Sequence, residues 1–378
     1  MKKVLISLLI LLLSFSLAKP ARAIVDPLAF DNNKVGVHIL HTGEIEQAAK
    51  LVNGEDGEWG YVTVPIETTD RNREKWNEFM DKAAEKKVIP IIRIATLVRD
   101  AHWEEPESLD LIAFANFLND LNWPTKNRYV IVFNEVNRND EFGGLVNPAR
   151  YADILVNTSR IFKDRSEDFF ILPAGLDLAS VNANGAIEWR NFWRQAYNHN
   201  PKVFEAVDGW SSHSYPNPGF VGSPKDTGPM SISGFKYELE FVSQYTDKAL
   251  PVFITETGWD QDKIGEEMTA SYFSYAFDNV WSDVRVVAVT PFLLHAGDGP
   301  FEKFSLLDKS AQPTRLYEVI NSKARKGSPE LTDGADEVLG VSTRNLLDAS
   351  ETNLWGTAKS WWSLLIGWLS GPKDSEVK

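Results

Sequence analysis

At 378 residues the chain is long enough for one large α/β barrel or two medium domains, and its lack of cysteine excludes disulfides, thiolate nucleophiles and Cys-ligated zinc. A formal net charge of −14 argues against nucleic acid or anionic lipid as the main partner. A hydrophobic content of 43% with 13 Trp provides for a substantial core and excludes a disordered polymer.

Lys2 and Lys3 precede an apolar run from Val4 to Leu17, and Ala21-Arg22-Ala23 follows as a small-x-small cleavage site. This is the pattern of a secretory signal peptide over residues 1–23. The alternative is an uncleaved anchor, for which the run is short, since spanning takes ~20 apolar residues. The mature chain is therefore expected to begin near Ile24 and to be secreted or held at the cell envelope.

From Lys34 onward apolar runs alternate with helical patterns. The runs are Val35–Leu40, which contains His38, then Trp59–Ile66, Val88–Ala95 and Tyr129–Phe133. Four more follow: Phe169–Ala174, Val207–Tyr215, Pro251–Thr255 and Val286–Leu294. Short continuous runs of this kind suit strands buried on both faces of a parallel sheet. Between them, Trp76, Phe79, Met80, Ala83 and Ala84 share one helical face, and Pro148 opens a helix at its first position with Asn147 as cap. Further helices are expected over 44–52, 109–121, 187–197, 235–245, 268–281 and 313–323.

Eight strand candidates alternating with helices close most naturally into a (β/α)8 TIM barrel over 24–326. The competitor, an open doubly wound sheet, usually shows a Gly-rich phosphate loop after its first strand, and Gly36-Val37-His38 is not one. Residues 327–350 read as a polar linker, and 371–378 as a tail. Within 351–370, Leu354, Trp355, Ala358, Trp361, Trp362, Leu365, Trp368 and Leu369 form one apolar helical face. That helix is expected to pack on the barrel, to meet another subunit, or to lie on a membrane surface, where Trp favours the boundary.

Polar chemistry concentrates at three strand ends: Asn134-Glu135 after the fourth, His213-Ser214-Tyr215 after the sixth, and Thr255-Glu256-Thr257-Gly258-Trp259 after the seventh. Asn134-Glu135 taken alone is either a carboxylate with its orienting amide or an ordinary loop start. Strands four and seven lie nearly opposite in an eight-stranded barrel, so both carboxylates can face one mouth. Two carboxylates on a shared pocket are what glycosidic bond cleavage needs, one donating a proton and the other ionised.

FNEVN at 133–137 and TETGW at 255–259 resemble the acid/base and nucleophile motifs of the retaining (β/α)8-barrel glycoside hydrolases, in particular their endo-β-glucanase and galactanase members. The resemblance covers about Lys34 to Lys323. It implies Glu135 as acid/base, Glu256 as nucleophile, Asn134 as the amide on the sugar 2-hydroxyl, and Tyr215 beside the nucleophile. His213 would support that arrangement, Arg93 would pair with Glu256, and His38, like His213, Arg93, Trp259 and His295, would belong to the substrate-binding residues. The chain departs from the pattern at Val136, where Pro is common, and at TPFLLH (290–295), where many members carry a Trp; Phe292 or His295 would substitute. Trp59, Trp103 and Trp259 are candidates to stack on sugar faces, and Asp177 to contribute to a subsite. The expected partner is a β-linked poly- or oligosaccharide. The six His are scattered without a His-Glu-x-x-His pattern, so no metal or other cofactor is expected. The competing reading is a carbohydrate-binding or envelope scaffold on a hydrolase-like barrel.

Overall fold

Eight parallel strands, most of them hydrophobic because both faces are covered, form the centre of the molecule. The computed structural model describes residues 24–332 apart from Asn184; the expected leader, the linker beyond 332, the expected helix 351–370 and the tail lie outside the described residues. The strands are β1 (Gly36–His38), β2 (Gly60–Glu67), β3 (Val88–Ala95), β4 (Arg128–Val132), β5 (Phe169–Pro173), β6 (Trp210–His213), β7 (Val252–Glu256) and β8 (Val286–Val289). They pair in the orders β1-β2-β3-β4-β5 and β8-β7-β6. Two seams join these halves. At one, Val35 bridges Val289 and the His38 amide donates to the Pro291 carbonyl at 3.0 Å. At the other, the Asp208 amide donates to the Ile171 carbonyl at 2.8 Å, and Asp177 bridges His213. The barrel is closed. Gly36 is required at the first seam, since a Cβ there would lie 2.6 Å from Thr290 Cγ2.

The helices are α1 (Ile45–Asn53), α2 (Arg73–Glu85), α3 (Ser108–Asn119), α4 (Pro148–Lys163), α5 (Trp189–His199), α6 (Gly234–Val242), α7 (Glu266–Asn279) and α8 (Arg315–Asn321). Their starts follow local chemistry. Asn72 Oδ1 accepts from the Lys75 amide at 3.1 Å, and Asn147 Oδ1 from the Arg150 amide at 3.0 Å, with Pro148 at the first position of α4. Each helix presents an apolar stripe to the strands, as α2 does with Trp76, Phe79, Met80 and Ala83.

Strand alternation separates two cores. Outward residues such as Val62, Val64, Ile92, Ile94, Val130 and Val132 pack against the helices. Inward residues Tyr61, Ile89, Ile91, Tyr129, Ile131, Phe170, Leu172 and Phe253 fill the lower barrel. Trp59 belongs to this floor cluster and is buried, so it is unavailable for sugar stacking. The expected linker also begins too early. The Gly327 amide donates to Glu58, Ser328 to Asp31, and the Lys126 amide to Glu330, while Leu331 covers the floor cluster. Residues 327–332 are part of the barrel, because its open N-terminal end needs a cover.

Candidate active site

Three backbone features aim the polar side chains at the mouth. Phe133, directly after β4, has φ of 71°, and Glu135 has φ of 33°. The turn sends Phe133 outward against Phe142, at a centroid distance of 5.5 Å, and puts both Asn134 and Glu135 on the cleft. Left-handed conformations at non-glycine residues cost of order 1–3 kcal/mol each. The Glu135 amide is anchored on the Gly175 carbonyl at 3.0 Å. At the end of β7 the pairing with β6 slips, with Ser212 opposite Ile254 but His213 opposite Glu256. The extra residue, Thr255, makes a bulge that brings Glu256 to the inward face already used by Phe253. Gly175 completes the arrangement: a Cβ there would lie 2.2 Å from His213 Cδ2.

The two glutamates meet across His213. Its Nδ1 lies 3.0 Å from Glu135 Oε1 and 3.8 Å from Glu256 Oε2. One atom from each of the three side chains lies within 4.8 Å of the others. Arg93 Nη1 donates to Glu256 Oε1 at 2.5 Å and to Asn134 Oδ1 at 2.7 Å. The Tyr215 hydroxyl donates to Glu256 Oε2 at 3.2 Å. Arg138 Nη1 stands 3.7 Å from Glu135 Oε2 and 3.5 Å from Asp177 Oδ2. Two carboxylates and a His could in principle ligate a cation, but Arg93 already places positive charge on Glu256.

These surroundings separate the two carboxyls. Burial pushes the Glu256 carboxyl up, but the charges of His213 and Arg93 outweigh it and hold the group at about 2. For Glu135 burial wins over the His213 hydrogen bond, Asp177 adds to it, and the carboxyl is raised. Burial lowers His213, yet the charge of Glu256 and the bond to Glu135 raise it overall. The Tyr215 phenol is raised well above its ordinary range by burial and by Glu256, so it stays a donor.

The cleft has a volume of about 330 Å³ and two unlike walls. One carries Arg138, Asp140, Glu141 and Asp177; the other carries Phe220, Phe292, Phe301 and Phe304. Trp103 lines the rim from a small hairpin, Val98–Arg99 against His102–Trp103. Three sequence expectations change here. Trp259 is 1% exposed, packs on Phe273 and donates its Nε1 to the Gly222 carbonyl, so it supports the β7 loop and does not stack on sugar. His38 is 0% exposed beneath the cleft, edge-on to Phe292 at 5.2 Å, with no hydrogen-bond partner on either ring nitrogen among the described residues. Burial and Arg93 push it down to about 3, so it is a neutral packing group. His295 does not line the cleft, and its buried Nε2 has no partner among the described residues. The aromatic wall comes instead from Phe292 with Phe301, edge-on at 5.0 Å. Sequence reasoning passed over Glu141, Arg138 and Asp140. The charged run Arg138-Asn139-Asp140-Glu141 directly after FNEVN was the available signal.

No protein-family model matches the chain, and no curated protein matches its sequence. Solved structures do. The chain is similar to a family 39 glycoside hydrolase from the gut symbiont Bacteroides cellulosilyticus, at a TM-score of 0.54 and 16% identity, over 80% of this chain and 64% of that one. The shared fold is the (β/α)8 barrel. A GH5_18 structure from Streptomyces cattleya in complex with Manβ1-4GlcNAc gives a TM-score of 0.54 at 15% identity, covering 74% of this chain and 73% of that one. A GH128 (subgroup II) endo-β-1,3-glucanase from Pseudomonas viridiflava gives 0.50 at 14% identity, covering 77% and 98%. This chain thus spans less than two thirds of the family 39 protein. The barrel is common ground at identities that carry the fold alone.

Proposed function

We propose that this protein is a glycoside hydrolase that cleaves a β-linked poly- or oligosaccharide with net retention. The observation that carries this reading is one mouth in which two carboxyls meet across His213, with Glu256 held low by His213 and Arg93 while burial raises Glu135. An oxygen of each lies within 4.8 Å of the other, a close approach that supports the short carboxyl spacing of ~5–5.5 Å used by retaining enzymes. The sugar-cleaving or sugar-binding neighbours of the fold support the same substrate class.

In the first step a Glu256 oxygen bonds the anomeric carbon while the bond to the leaving oxygen breaks and Glu135 gives that oxygen its proton. In the second, Glu135 takes a proton from water, whose oxygen displaces Glu256 and releases the sugar. Arg93 and Tyr215 hold Glu256 in place through its two oxygens, so the attacking carboxylate is preorganised. The aromatic wall offers apolar faces to pyranose rings. Export is part of the proposal, on the strength of the leader pattern in residues 1–23.

The test is hydrolysis of activated aryl β-glycosides and a polysaccharide panel. Glu256→Ala is expected to lose about 10⁴–10⁶-fold in kcat. Glu135→Ala is expected to lose about 10²–10⁴-fold and to recover with azide, giving a β-glycosyl azide. Wild-type protein that binds a glycan yet hydrolyses none would overturn the reading in favour of a scaffold. N-terminal sequencing of exported protein is expected to start at Ile24.

A further inference from the structure

Glu141 is a carboxylate on the cleft wall, near the Arg138 charge, that the two-carboxylate reaction does not use. Its side chain holds an amide: Oε2 accepts from Asn134 Nδ2 at 3.0 Å. The other end of that amide, Asn134 Oδ1, accepts from Arg93 Nη1 at 2.7 Å, and the same nitrogen reaches Glu256 Oε1 at 2.5 Å. The result is one chain, Glu141–Asn134–Arg93–Glu256, running across the mouth from the wall to the nucleophile.

The orientation of Asn134 in this chain is forced by chemistry. Guanidinium only donates, so Asn134 must turn its carbonyl to Arg93. Its NH2 group then points at the wall, where only an acceptor satisfies it. A flipped amide would set donor against donor at Arg93 and acceptor against acceptor at Glu141. Asn134 is flanked by two left-handed residues, Phe133 and Glu135, so its backbone is not placed by regular strand pairing. The side chain therefore needs a tether at each end.

We propose that Glu141 is a positioning residue of this site, fixing the Asn134 amide and, through it, the arginine that holds Glu256. The catalytic consequence rests on the hydrolase reading above; the tether does not. Burial and the neighbouring Glu135 charge raise the Glu141 carboxyl to about 7. Neutral or ionised, it keeps an acceptor oxygen for Asn134. A neutral isostere should therefore serve, and an apolar residue should not.

Two measurements test this. With Asn side chains labelled with nitrogen-15, exchange of the Asn134 NH2 protons with solvent is expected to be slow in wild type, close to wild type in Glu141→Gln, and at least 10-fold faster in Glu141→Ala. Unchanged exchange in Glu141→Ala overturns the proposal. In activity, Glu141→Ala is expected to lose about 10-fold in kcat/KM, Glu141→Gln to restore it, and the Glu141→Ala/Asn134→Ala double variant to be no slower than Asn134→Ala alone. Full additivity of the two losses would mean that Glu141 does not act through Asn134, and this too overturns the proposal. If wild type is inert on every glycan while the exchange pattern holds, the tether stands and the hydrolase reading falls.

Discussion

The two ends of this barrel solve opposite problems with the same strands. At the N-terminal end, Tyr61, Tyr129, Phe170 and Phe253 meet at centroid distances between 5.0 and 6.4 Å, and their phenols are satisfied by Asn32 and Asn127. This end is packed, regular and closed by Ile24 and Leu331. At the C-terminal end the same strands finish in buried carboxylates, a guanidinium, a bulge and left-handed turns. Burying charge and holding non-glycine residues at positive φ both cost stability, so the aromatic floor must over-determine the fold for the mouth to exist. Stability and chemistry are thus stacked along one axis.

This contrast can be broken from either side. The largest expected effect is at the floor: Phe253→Ala should cost about 3–5 kcal/mol of unfolding free energy in a denaturant titration. The folded fraction should keep its kcat/KM, since Phe253 lies below the mouth. A large loss of kcat/KM in the folded protein would show that floor and mouth are not separable.

Next is a charge behind the mouth. Glu238 on α6 is buried against Ser212 of β6, and burial raises its carboxyl to about 7. Because the folded protein holds this proton more tightly than the unfolded chain, stability is fully present below about pH 4.5 and declines as pH rises toward 7. Glu238→Gln should flatten that decline, gaining up to ~3 kcal/mol near neutral pH. Equal slopes for wild type and variant in this window would contradict it.

A third change acts on the mouth alone. Arg93→Met removes one of the two charges, with that of His213, that hold Glu256 low, so the Glu256 carboxyl should rise from about 2, and the acidic limb of kcat/KM should move up by about 1–2 pH units. An unmoved limb would assign the low value to His213 alone. The smallest effect tests the cover of the floor: protein ending at Lys326 should be about 1 kcal/mol less stable than protein ending at Thr332, through loss of Leu331 packing.

What the sequence by itself determined is periodic and local. Continuous apolar runs marked most of the eight strands, and the cap Asn147 with Pro148 marked the start of α4. The order of FNEVN and TETGW put two carboxylates on strands that the barrel sets across from each other. What tertiary structure decided is direction. A run of residues does not reveal that Thr255 is extra in its pairing, or that Phe133 turns out so that Asn134 and Glu135 both turn in. Trp259 reads as a sugar platform beside the nucleophile, yet the packing of α7 claims it, through Phe273. Glu141 reads as part of a charged loop, yet a hydrogen bond to Asn134 makes it part of the site. Burial pattern is written in the spacing of side chains along one chain. The facing of a side chain, and the partner it finds, depend on segments far away in sequence.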